Sequence, residues 1–180
     1  RAASVAAVLF RQFVDDDLGC ASYLIADEEA GEAVLVDPAY AIEQYLEEAA
    51  RSNVRIARVL ETHTHADHLS GHGRLALEHD VPVSIHPLAE PEYPFDPVED
   101  GGVVEVGSVS IRVLHTPGHR PEHCCYLVDG HLLTGDSLLI GDAARPDLAV
   151  AAREGAEGLF HSLQKLAALP SETEVDPGHI

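Results

Sequence analysis

The sequence predicts an α/β domain, and three observations carry that prediction. Apolar or alternating runs open the chain and recur through its second half, as strands do. Three helical segments, two of them with apolar residues at helical spacing, are interspersed among them. Finally, 180 residues with 46% hydrophobic content supply one core, enough to bury about two thirds of the unfolded surface. Many strands first, with helices interspersed, is the pattern of an α/β architecture.

The elements follow in order. VAAVLFRQF, CASYLIAD and AVLVD read as strands, separated by Asp15-Asp16-Asp17 and by the turn from Asp27 to Gly31. AIEQYLEEAARSN places Ile42, Tyr45, Leu46 and Ala49 on one helical face. RIARVLETH is a strand, THTHADHLSGHG a loop, GRLALEHD a short helix and PVSIHP a strand. EPEYPFDPVEDGG is too rich in proline and acid to be regular and reads as a solvated connector rather than a lid. GVVEV, VSIRVLHT, HCCYLVDG and HLLTGD are further strands. A helix from Glu154 to Ala168 aligns Leu159, Leu163 and Leu166, and a short strand, TEVD, leads into PGHI.

Composition narrows the function. The formal charge of −20 argues against DNA or RNA as a partner, because phosphates require clustered Lys and Arg. No apolar run approaches the roughly 18 residues that span a bilayer, so no membrane partner is expected. Three cysteines, Cys20, Cys124 and Cys125, make a poor disulfide framework and read as small buried hydrophobes in a reducing, cytoplasmic setting. The chain has no Met and is expected to be trimmed.

The 12 histidines are the anomaly, and they cluster. THTHADHL holds His63, His65, Asp67 and His68 directly after a predicted strand. If the segment is extended, His63, His65 and Asp67 share a face, and His68 joins where the chain turns toward its helix. Imidazole and carboxylate suit zinc, iron and manganese. HTPGH, LLTGD and VDPGH repeat one form, a strand end and then glycine before a ligand-type residue: His119, Asp136 and His179. Together these pieces predict a metal centre.

HxHxDH, then Pro-Gly-His, then Gly-Asp, then a final His resembles the metallo-β-lactamase superfamily across essentially the whole chain. The resemblance implies one domain over residues 1–180, an αββα sandwich with metal at one edge of its two sheets. It implies one metal site of His63, His65 and His119, a second of Asp67, His68 and His179, and Asp136 bridging them when two metals are bound.

Two branches lie near: glyoxalase II, a dinuclear hydrolase of thiol esters with two Zn(2+), and the persulfide dioxygenases, with one Fe(2+) per chain. GDSLLIGDAARPDL and HTPGHRPEH are similar to the dioxygenase segments, so that branch leads. There His63, His119 and Asp136 correspond to the iron ligands and catalytic centre, with His65, Asp67, His68 and His179 around them. The implied partners are dioxygen and a low-molecular-weight thiol persulfide, on glutathione or another thiol carrier, with sulfite and free thiol as products. Arg145 matches the Arg of the family's GRxD motif, although Ala144 replaces its Gly, and is the candidate for binding an anionic group of the carrier; an ion pair with Asp142 or Asp147 is the competing role. Such relatives continue past the final Pro-Gly-His, so the C-terminal end is expected to be missing here, with any rhodanese domain, fused or separate. A homodimer and a metal-bound fragment without turnover stay open.

Overall fold

The computed structural model describes residues 8–180; Val5, Ala6 and Ala7, assigned above to the first strand, lie outside the described residues. Strands β1 (Val8–Val14), β2 (Ala21–Asp27) and β3 (Glu32–Val36) form an antiparallel meander. Helix α1 (Glu43–Arg51) returns the chain to β4 (Arg55–Leu60), and α2 (His72–His79) returns it to β5 (Val83–Ile85). β4 pairs parallel with β3, β5 with β4, and a two-residue strand β6 (Asp96–Pro97) with β5, which completes a six-stranded sheet. The second sheet is built from β7 (Val103–Val106), β8 (Val109–His115), β9 (Cys124–Val128) and β10 (His131–Gly135), all antiparallel. A hairpin of β11 (Leu138–Leu139) and β12 (Asp142–Ala143) and the helix α3 (Ala152–Ala167) follow. Then β13 (Glu174–Pro177) adds parallel to β10.

Side-chain alternation explains how these pieces stack. In β2 and β3, Tyr23, Ile25, Val34 and Val36 face Ile111, Val113 and Tyr126 of the second sheet. Their neighbours Leu24, Ala26, Ala33 and Leu35 face Tyr45 and Ala49 of α1 and Leu75 of α2. That double cover is why all seven residues of β2 are buried. On the far side, Leu114, Cys125 and Leu132 pack against Leu166 of α3. Helix, sheet, sheet, helix is the αββα sandwich expected. Burying a large apolar side chain such as Leu24 or Ile111 contributes about 1.5–3 kcal/mol. Asp27 joins the two sheets at one end, accepting from Ser108 N–H and Oγ–H at 2.8 and 2.7 Å and from Ala30 N–H at 3.0 Å. Those donors, led by the Ser108 and Ala30 amides, hold its carboxyl down at about 2.

The structure corrects the reading of EPEYPFDPVEDGG as a solvated connector. It supplies the edge strand β6, buries Val98 between the sheets and packs Tyr93 on the helix-side core. Strands of two residues leave no periodicity, so β6, β11 and β12 had no sequence signal. Cys124 and Cys125 are free thiols in the core, on opposite faces of β9. Among the described residues no helix is long and apolar enough to cross a membrane.

Candidate metal centre

Parallel and antiparallel pairing bring four strand ends to one edge of the sandwich, and each is followed by a ligand-type side chain. His63 follows β4, His119 follows β8, Asp136 follows β10 and His179 follows β13. Two of the glycines that precede them have separate reasons. Gly118 has φ +145°, and a Cβ there would lie 2.5 Å from Leu159 Cα in α3. A Cβ on Gly178 would meet Asp136 Oδ1 at 2.7 Å.

His63, His119 and Asp136 converge, with all three ligand atoms within 4.8 Å of one another. Asp136 Oδ2 lies 3.6 Å from Nε2 of both histidines. The tautomers follow from the partners of the other ring nitrogens. Thr62 Oγ donates to Asp37 Oδ2 at 2.7 Å, so it accepts from His63 Nδ1–H at 2.8 Å. His119 Nδ1–H donates to the Arg145 carbonyl at 3.2 Å. Both Nε2 lone pairs therefore face Asp136. Burial first, then the neighbouring histidines, holds His63 well below the ordinary histidine value, so it is neutral and fit to ligate.

His65 groups with Asp37 and Glu61 through its Nε2 rather than with the three atoms of His63, His119 and Asp136. The segment bends rather than running extended, and His65 Nε2–H points to Glu61 Oε2 at 3.1 Å and Asp37 Oδ1 at 3.2 Å. Burial opposes charge on this ring, but Asp37 and Glu61 hold it well above its usual value. Its Nδ1 is buried and has no partner in the protein. The two rings remain neighbours, with centroids 4.3 Å apart. An orphaned imidazole nitrogen beside two presented Nε2 atoms and a carboxylate fits a bound transition metal.

A second group adjoins the first. His179 Nδ1–H donates to Asp136 Oδ1 and its Nε2 meets Asp67 Oδ2, both at 2.7 Å. His68 Nδ1 lies 3.1 Å from the other Asp67 oxygen. The hydrogen bond to Asp136 leads in raising His179 to about 9, with Asp67 adding to it against burial. Burial opposes ionisation of Asp67, but His179 and His68 hold it at about 2.

Several residues of this centre had no assigned part in the sequence. Asp37 accepts the Thr62 amide at 2.7 Å, and Glu61 accepts from His72 Nδ1–H at 2.9 Å and from Ser70 Oγ–H. The His123 ring stacks beside His63 at 5.1 Å, with Nδ1 2.9 Å from Thr116 Oγ. An acid at a strand end was the available signal for Asp37 and Glu61. Cys20, read above as core packing, instead points its thiol at Asp67, His68 and His179, at 3.6, 3.7 and 3.5 Å. Burial, with Asp67, pushes that thiol up to about 12.

A cavity of about 520 Å³ opens on the triad, lined by His63, Asp67, His119, Asp136, Arg145 and Leu148. Arg145 stands at its rim with an exposed side chain and pairs with Asp147 through Nε at 2.8 Å and Nη2 at 3.1 Å. The competing ion pair is thus present, on a side chain that also borders the cavity.

The sequence profile of the "Metallo-beta-lactamase superfamily" matches residues 15–179. A hydroxyacylglutathione hydrolase of Halorhodospira halophila is 39% identical over 87% of this chain, which spans 60% of that protein. The mitochondrial persulfide dioxygenase ETHE1 of Bos taurus is 32% identical over 98% of this chain and 70% of its own length. The crystal structure of ETHE1 from Myxococcus xanthus superposes with a TM-score of 0.89 at 34% identity, covering 96% of this chain and 76% of that one.

Proposed function

The chain belongs to the metallo-beta-lactamase superfamily, and from that premise we propose that it is an iron(II)-dependent persulfide dioxygenase. It would oxidise a low-molecular-weight thiol persulfide to sulfite and the free thiol. The supporting observation is the convergence of His63, His119 and Asp136, two imidazoles and one carboxylate. That is the donor set of the two-His-one-carboxylate facial triad. The donors of the second group satisfy one another, His179 with Asp136 and Asp67, and Asp67 with His68. They thereby orient the carboxylate of the first group, as outer partners of a mononuclear site do. The two relatives quoted as persulfide dioxygenase or ETHE1 share this chain over nearly all its length.

Iron(II) held by the triad supplies open positions and the capacity to activate dioxygen. The protein's residues do the rest. Thr62 and the Arg145 carbonyl fix the two imidazoles, and His179 fixes Asp136. The cavity brings the reactants within bonding reach of each other. The reaction consumes dioxygen and water and yields sulfite, thiol and two protons for each persulfide. Glutathione or another thiol carries the outer sulfur, in the cytoplasm.

The second reading is a dinuclear hydrolase of thiol esters. The presence of Asp67, His68 and His179 beside Asp136 favours it, as does the 39% identical hydrolase. The deciding experiment is oxygen uptake by anaerobically iron-loaded protein with a panel of persulfides, with sulfite as the measured product. One iron per chain and stoichiometric sulfite is the expected result. Two zincs per chain and cleavage of acylated thiols, with no sulfite from any persulfide, would falsify the dioxygenase reading.

Arg145 provides a narrower test. Its ion pair with Asp147 is exposed and contributes little to stability. It is therefore free to exchange that partner for a carboxylate or phosphate on the thiol carrier. Arg145→Ala is expected to raise KM about tenfold or more while leaving kcat nearly unchanged. An unchanged KM would assign Arg145 to the ion pair alone.

A further inference from the structure

His131 opens β10 and Glu174 opens β13, at the ends of these strands remote from the triad. The strands run parallel, with His131 opposite Glu174 and Leu133 opposite Asp176, so the four side chains share one face. Leu133 marks that face as the one packed between the sheets. The three polar residues stand at its rim: Asp176 is buried, His131 half-buried and Glu174 exposed. His131 Nδ1–H donates to Asp176 Oδ2 at 3.0 Å, and Glu174 Oε2 lies 3.9 Å from the same nitrogen. Phe10 of β1 lies flat on the imidazole, with centroids 4.0 Å and planes 11° apart, which fixes the ring's orientation. Two carboxylates thus share one imidazole, and among the described residues no Lys or Arg pairs with either. Burial first, with Glu174 adding to it, raises the Asp176 carboxyl above its usual value even against the His131 hydrogen bond. A cation placed between the two carboxylates relieves that cost.

We propose that His131, Glu174 and Asp176 bind a divalent transition-metal ion, zinc above all, at a strand-bridging site separate from the triad. The three donor atoms already lie within 4.8 Å of one another. Two ligands bonded to one tetrahedral zinc at about 2.0 Å sit about 3.3 Å apart. That value falls between the 3.0 and 3.9 Å that separate His131 Nδ1 from the two carboxylates. The exposed Glu174 side chain is the one free to adjust. Imidazole selects transition metals over magnesium and calcium, and the two carboxylates balance the charge of the dication. Nothing is oxidised or reduced on binding. The Nδ1 proton leaves to solvent, the metal takes that lone pair, and Nε2 gains a proton, so the ring stays neutral. Five residues of β10 at about 3.3 Å each put this site about 16 Å from Asp136. The ion would cross-link β10 to the edge strand β13, the two strands that lead into Asp136 and His179. The site stands whether the triad serves a dioxygenase or a hydrolase, so it is independent of the functional reading above.

Zinc titrated into the protein tests this by NMR of nitrogen-labelled histidine rings, with His131→Gln assigning the His131 signals. The readout belongs to one ring, so zinc taken up at the triad does not obscure it. The expected result is a switch of His131 from the Nδ1–H form to an Nε2–H form with Nδ1 metal-bound, saturating at one zinc per chain at this site. Magnesium at the same concentration should leave the ring unchanged. Glu174→Gln alters an exposed side chain, so the fold should tolerate it. It should weaken the zinc response at least about tenfold, since even partners outside the ligand set cost that much. Asp176→Asn should act in the same direction. A His131 ring that is unchanged once zinc has saturated the triad and stands in further excess overturns the proposal. So does an equal response in folded Glu174→Gln.

Discussion

On the proposed dioxygenase reading, Asp136→Ala is expected to strip iron from the protein and lower sulfite formation by at least about 100-fold, since altering an outer partner alone costs 10–100-fold. Asp136 is the sole carboxylate of the triad, with Oδ2 3.6 Å from both His63 and His119 Nε2. Its other oxygen accepts the His179 Nδ1–H at 2.7 Å, so the substitution also leaves that ring without its anchor. Two imidazoles then remain, without the anionic donor that favours a dication. The measurement is iron per chain and sulfite rate on the same anaerobically loaded sample, with circular dichroism to establish folding. Asp136→Asn keeps an acceptor for His179 but removes the charge, and it separates the two roles. Full iron content and a sulfite rate within about threefold of wild type would remove Asp136 from the site.

Glu61→Ala is expected to destabilise the fold by about 3–5 kcal/mol, the usual result of removing one member of a buried charged set. Glu61 is 1% exposed. Its carboxylate accepts from Ser70 Oγ–H, from His72 Nδ1–H at 2.9 Å and from His65 Nε2–H at 3.1 Å. Burial opposes its ionisation, yet His65 and His72 hold it at about 2, so it is an anion in the interior. Alanine leaves His65 facing Asp37 alone and leaves His72 and Ser70 without this acceptor. Urea unfolding of the metal-free proteins gives the difference without a contribution from metal binding. A loss below about 1 kcal/mol would show that the network reorganises around the gap, because exposed ion pairs cost that little.

How far the centre was legible depends on what positions each residue. His119, Asp136 and His179 were legible because each follows glycine at a strand end, a local feature that the pairing carries to one edge. The direction of His65 was not. It rests on Asp37 and Glu61, from the ends of β3 and β4, and on a bent segment that cancels the alternation of an extended one. Cys20 misled because CASYLIAD alternates like any buried strand, and Cys124 and Cys125 do pack as small hydrophobes. What distinguishes Cys20 is a bridge to His179 across 159 residues, which no local pattern encodes. The acidic, proline-rich stretch misled in the opposite sense. Its composition reads as solvated, but Tyr93 and Val98 are anchored to the two cores.

By itself the sequence determined the order and type of the long elements, the αββα arrangement through its family resemblance, and the residues of a candidate metal centre. Periodicity and glycine placement are local, and local pattern suffices for those. Only the tertiary structure decided which donors meet in one group, which tautomer each histidine presents, and that a thiol lies against the second group. Those outcomes depend on hydrogen-bond partners contributed by distant segments, such as Asp37 to Thr62 and Arg145 to His119. They depend also on burial, which sets whether a given carboxyl or imidazole is charged. Both are properties of the packed chain.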